Sequence, residues 1–148
     1  MNKADWGNKA VEYFDSGYNC AESVFKALCE AIGKEANPSV VSGFGGGVGR
    51  SDSLCGALSG AVAALGLWVD RLSQGKNEGK ERVYQLVGRM VREFREAVGD
   101  VNCTGITGLN LSTEEGYAQF RAANRHATHC APAVRKSVEL ALTLIQAE

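Results

Sequence analysis

Apolar residues recur along this chain at helical spacing. Between Asp5 and Ser16 they fall at Ala10, Val11, Tyr13 and Phe14, and Gly17 stands where a helix commonly ends. After Asn19, the residues Ala21, Val24, Phe25, Leu28, Cys29 and Ile32 form one buried stripe at i, i+3, i+4 intervals. Asn19 with Glu22 three residues on is a variant of the capping box, and Gly33 closes this second helix. Asn37-Pro38 predicts a short helix through Val41, because proline is accepted at the first helical position.

Further along, Ser51, Asp52 and Ser53 offer caps for a helix that runs to about Val69. Its Gly56-x-x-x-Gly60 spacing, with Ala57, Ala61, Ala63 and Ala64, gives a smooth face suited to close helix packing. Arg71 to Glu78 reads as a loop. A long amphipathic helix then covers about Gly79 to Val98, with Leu86, Met90 and Phe94 on its apolar stripe. Arg89 with Glu93, and Arg92 with Glu96, sit at i, i+4 on its solvated face. Gly99-Asp100 breaks that helix, Asn102 to Gly105 starts a short turn or helix, Thr113 opens a segment to about Asn124, and Cys130-Ala131-Pro132 opens the last helix. No strand-type alternation, internal repeat or low-complexity linker appears. The expected fold is all-α: a single domain over residues 1–148, a bundle of about six helices with a central glycine-rich loop.

That loop is the most distinctive stretch. Five of the seven residues from Gly43 to Gly49 are glycine, and Cys55-Gly56-Ala57-x-x-Gly60 follows at a helix start. Glycine lets the backbone adopt positive φ and come close to a neighbouring group. The stretch lacks the lysine of a P-loop and the strand and glycine spacing of a dinucleotide fingerprint. Gly45, Gly46, Gly47 and Gly56 are therefore expected to bring backbone N–H groups up to sulfur.

Composition narrows the classes. The chain has 148 residues, enough to bury a sizeable core in one domain. A net charge of −1 and sparse aromatics give no field or stacking platform for nucleic acid. The uncharged run Ser53 to Val69 is short for a membrane span, and Met1 to Trp6 lacks an apolar signal core, so a cytoplasmic, non-membrane protein is expected.

Five cysteines without a secretory signal point to metal or redox use rather than a disulfide framework. Cys20, Cys55, Cys103 and Cys130 each stand at a predicted helix start, where partial positive charge and free N–H groups favour thiolate. Cys29 lies on the other side of its helix from Cys20, within the apolar stripe, and reads as a core residue. No CxxC is present, so any shared site must be gathered by the fold. His126 and His129, beside Cys130, could replace a cysteine as ligand, but a polar helix junction with capping or solvent-facing histidines is the preferred reading. Neither a Ser-His-Asp order nor paired carboxylates stand out.

The order Cys20 … Cys55-Gly56-Ala57-x-x-Gly60 … Cys103 … Cys130 resembles the redox-active protein family named for its C_GCAxxG_C_C pattern. It is also similar to the domain of split-Soret cytochromes held to carry an iron–sulfur cluster, without their haem motif. The resemblance covers about Gly17 to the last helix. It implies that these four cysteines are the functional residues and that they ligate an iron–sulfur cluster for electron transfer or redox sensing. Two alternatives stay open: a thiol–disulfide oxidoreductase with Cys55 as the reactive thiolate, and a structural zinc module on the same cysteines. The expected partner is a redox protein or a small thiol, with a homodimer as an option.

Overall fold

Asn2 starts the first helix before the apolar stripe does. Its side chain accepts the Asp5 N–H while the Asp5 carboxylate accepts the Asn2 N–H, at 2.8 and 2.9 Å, a complete capping box. The computed structural model describes residues 1–72 and 76–148. Its elements are α1 (Lys3–Asp15), α2 (Cys20–Ala31), a 3₁₀ helix (Pro38–Phe44), α3 (Gly45–Val48), α4 (Gly56–Leu72), α5 (Lys76–Val98), α6 (Cys103–Thr107), α7 (Glu114–Ala122), a π turn (His126–Cys130) and α8 (Ala131–Gln146).

The all-α expectation holds. Among the described residues there is no strand, and the only bridge is an isolated antiparallel pair, Leu54 with Asn102. Among the described residues eight α segments replace the expected six or so, because α3 and α6 are single turns too short to show a stripe. The 3₁₀ helix runs three residues beyond Val41, to Phe44. The loop expected at Arg71 to Glu78 is largely helix: α4 extends through Leu72 and α5 begins at Lys76, and residues 73–75 lie outside the described residues. Leu, Arg, Lys and Glu are good helix formers, so the helices outlast the apolar stripe that signals them.

The bundle is built on α2 and α4. Gly60 lies so close to α2 that a Cβ there would run into the Ala21 carbonyl, which is the close approach the small-residue face predicts. Around this pair, α8 packs on α1, α2, α4 and α5. Leu28, Leu58, Leu65, Met90, Phe94 and Leu144 are fully buried at the centre. The Ser137 hydroxyl donates to the Ala57 carbonyl at 2.6 Å, tying α8 to the first turn of α4. The cysteine-bearing ends of α2, α4, α6 and α8 thereby reach one side of the bundle. No described helix is long and apolar enough to cross a membrane.

Candidate functional site

Residues 53–55 and 101–103 are clamped by two reciprocal backbone bonds. The Cys55 N–H donates to the Val101 carbonyl (2.8 Å) and the Cys103 N–H donates to the Ser53 carbonyl (3.0 Å). Asp100 holds the second segment of this clamp, accepting the N–H groups of Val101 (2.6 Å) and Asn102 (3.0 Å) on one carboxylate oxygen. Those donors, Asn102 first, keep its carboxyl below the usual range. The Asn102 side chain caps α6 through the Thr104 N–H (2.9 Å) and donates to the Asp52 carbonyl (3.1 Å). Ser51 and Asp52, expected as helix caps, are used elsewhere: Ser51 bonds the Val48 carbonyl at 2.7 Å, and the Asp52 carboxylate accepts the Thr104 hydroxyl. The cross-chain clamp has taken the place of the local caps.

The glycine-rich loop forms a left-handed turn. Gly46, Gly47, Val48, Gly49 and Arg50 have φ of 67°, 75°, 60°, 65° and 60°, and the Gly49 N–H donates to the Gly45 carbonyl at 2.9 Å. The hydrogen bond is that of an α-helix, with the hand reversed. For a non-glycine residue this conformation costs roughly 1–2 kcal/mol, so Val48 and Arg50 carry backbone strain. What the reversed turn achieves is proximity. A Cβ on Gly47 would come within 2.7 Å of the Cys103 Cβ, and one on Gly56 would collide with the Cys20 sulfur. The backbone N–H groups of Gly46, Ala21 and Gly56 face that sulfur and partly offset the effect of its burial. Asn19 caps α2 through the Glu22 N–H (2.9 Å) and also donates to the Ser42 carbonyl (2.9 Å), which fastens the loop to the start of α2.

Cys130 has a different local setting from the one its sequence predicts. It closes the π turn, where the Ala131 N–H reaches back to the His126 carbonyl, and its own backbone is helical. Its thiol therefore faces no open helix terminus. The same turn settles the neighbouring histidines. His129 Nε2 lies 3.0 Å from an Arg125 donor and its Nδ1 lies 2.6 Å from the Thr128 hydroxyl, so both ring nitrogens are engaged. His126 stacks on Phe14 at 3.7 Å with the rings 5° from parallel, and its Nε2 lies 3.3 Å from Asp15 Oδ1.

Cys20, Cys55, Cys103 and Cys130 all line one cavity of about 570 Å³, and all are free thiols. Cys29 is a free thiol in the hydrophobic core, away from that cavity. Cys55 and Cys103, with Gly47, Gly56, Ala57 and Thr107, are buried and form the floor, while Tyr18, Gly49 and Arg50 are exposed at the rim. Among the described residues no carboxylate lines the space. Burial pushes the Cys55 thiol up to about 12, reinforced by Cys20 and only partly offset by the Ala57 and Leu58 N–H groups. Burial likewise raises Cys103 to about 11, and raises Cys20 and Cys130. Helix starts alone predict thiolates; desolvation outweighs that effect, joined by neighbouring sulfurs at Cys55, Cys103 and Cys130 and by Asp52 at Cys103. Among the described residues no three His, Cys, Asp or Glu side chains converge tightly enough to hold a single metal ion.

The cavity also takes residues that the cysteine pattern does not reveal: Phe14, Arg50, Leu111, Tyr117 and Phe120. Tyr117 and Phe120 are three apart on α7, a spacing that places both on one face, but only the tertiary fold turns that face toward the thiols.

A family model described as "Putative redox-active protein (C_GCAxxG_C_C)" matches residues 18–144, which contains all four cavity cysteines. The chain is 30% identical to an uncharacterized protein of Archaeoglobus fulgidus, over 93% of this chain and 91% of that one. No solved structure shows a significant match.

Proposed function

The chain belongs to the C_GCAxxG_C_C family, and from that premise we propose that Cys20, Cys55, Cys103 and Cys130 hold an iron–sulfur cluster used in electron transfer or redox sensing. The carrying observation is the donor set: four thiols, with no carboxylate among the described residues, around one cavity. Such a set suits soft iron–sulfide chemistry. Bound there, a cluster would supply one-electron transfer.

The chain's own residues have three tasks in this reading. The four thiols give up their protons as they bind, since ligating cysteine is thiolate. The N–H groups of Gly46, Ala21 and Gly56 stabilise negative charge at the Cys20 sulfur, which raises a reduction potential. The buried floor, with Ala57 and Thr107 beside the sulfurs, limits water.

Zinc on the same four cysteines, with Zn–S distances of about 2.3 Å, is the alternative reading. A cluster distributes its thiolates over several irons, and metal analysis separates the two. A thiol–disulfide role for Cys55 gains no support from its surroundings, because a thiol raised to about 12 is protonated at neutral pH.

The test is anaerobic purification or reconstitution, followed by iron and sulfide analysis and a visible spectrum. The expected result is a coloured protein with stoichiometric iron that is lost in Cys55→Ser and kept in Cys29→Ser. Colourless, iron-free protein after reconstitution overturns the proposal.

A further inference from the structure

The cavity is larger and more aromatic above the sulfurs than thiol ligation requires. At about 570 Å³ it falls within the range of small-molecule sites. Phe14 and His126 form a stacked wall, and Tyr117 and Phe120 contribute a second aromatic pair from α7. One charged side chain with no acidic partner stands at its rim. Arg50 makes no ion pair among the described residues, and its guanidinium carbon lies 3.9 Å from the centre of the Tyr117 ring. One of its five N–H donors goes to the Tyr117 hydroxyl at 3.1 Å.

A guanidinium stacked on a ring keeps its edge donors available for a bidentate contact with an oxyanion. The backbone supplies an independent observation. Arg50 is held at φ 60°, in the left-handed region that glycine, not arginine, tolerates. Five of the preceding seven residues are glycine, so a glycine here would have continued the pattern without strain. Val48 and Asp52 share this strain, and of the three only Arg50 lines the cavity, which ties its side chain to that space.

We propose that this cavity binds a small carboxylate with an apolar or aromatic body, its carboxylate on the Arg50 guanidinium and its body among Phe14, Tyr117 and Phe120. The ligand would lie over the four-cysteine floor, as the substrate or effector of the redox site. In that last respect the inference rests on the cluster reading; the binding itself does not.

Benzoate is the probe, with benzamide as its neutral counterpart, titrated calorimetrically into metal-free reduced protein and again into iron-loaded protein. Benzoate is expected to bind at least tenfold more tightly than benzamide. Arg50→Gly removes the guanidinium and relieves the backbone strain, so that variant should fold with an unchanged or higher melting temperature and lose at least tenfold in benzoate affinity. Tyr117→Leu should weaken binding several-fold by removing the stacking surface. Equal binding of benzoate and benzamide, no benzoate binding, or full benzoate affinity in Arg50→Gly overturns the inference, the last two leaving Arg50 as a counter-charge to the sulfurs. Iron uptake is read separately on the same samples, so failure of the cluster proposal and failure of the carboxylate site give different results.

Discussion

The sulfur of Cys20 occupies the space that a side chain on Gly56 would need. The glycine of the CGAxxG element is thus a steric requirement of another cysteine, 36 positions earlier in the chain. It also leaves the Gly56 N–H pointing at that sulfur.

Gly56→Ala is therefore expected to displace Cys20 and cost about 1–3 kcal/mol, the usual scale of overpacking. Iron uptake should fall with it. Gly66, in the same helix, has open space where an alanine methyl would sit, with no neighbouring element within 4 Å. Gly66→Ala should therefore be neutral or stabilising by up to about 1 kcal/mol. Urea denaturation of both variants checks the pair; equal effects would show that Gly56 is only a helix residue.

The reversed turn makes opposite predictions for adjacent residues. Val48 sits at φ 60° and is partly exposed, so Val48→Gly should stabilise the protein by about 0.5–1 kcal/mol. Gly47 sits at φ 75° with Cys103 and Ser53 against it, so Gly47→Ala should destabilise and loosen the Cys103 side of the site. Melting temperatures of the two variants shifting in the same direction would contradict the left-handed assignment.

Cys29 and the cavity cysteines should separate cleanly. Cys29→Ala removes a buried sulfur from the core at a cost of about 1 kcal/mol and should leave iron per chain unchanged. Serine at position 20, 55, 103 or 130 should lower iron per chain and change the visible spectrum. Loss of iron in Cys29→Ala, without unfolding, would require a different ligand set.

Alkali should destabilise the metal-free, reduced protein. Burial raises Cys55 to about 12, and Cys103 and Cys29 to about 11, from an ordinary value of 9.0. The folded state therefore favours the protonated thiols. That contribution is complete below pH 9, shrinks as the unfolded chain begins to ionise, and is lost as pH rises through 11–12. Urea midpoints measured at pH 7, 8, 9 and 10 should hold level to pH 8 and fall by pH 10. Tyr13, raised to about 12 from 10.0, adds to the loss only above that range. Iron affinity should run the other way and increase with pH, because binding displaces the thiol protons.

Much of this molecule is readable locally. The stripes of α1, α2, α5 and α8, the Asn19–Glu22 capping box and the burial of Cys29 follow from side-chain period and capping chemistry, which act within a few residues. The close α2–α4 contact follows from the small residues at 56 and 60, because a helix without side-chain bulk admits a neighbouring backbone. The chemical content of four dispersed cysteines and a glycine run is likewise visible before any folding. Their convergence on one cavity is not. It depends on the 53–55 and 101–103 clamp and on the Ser137–Ala57 bond, contacts between residues 46 to 80 positions apart. The hand of the glycine turn, the π turn beneath Cys130 and the placement of Arg50 against Tyr117 belong to the same class. Each is a locally unfavourable or neutral choice held by long-range packing, so only the tertiary structure decides it.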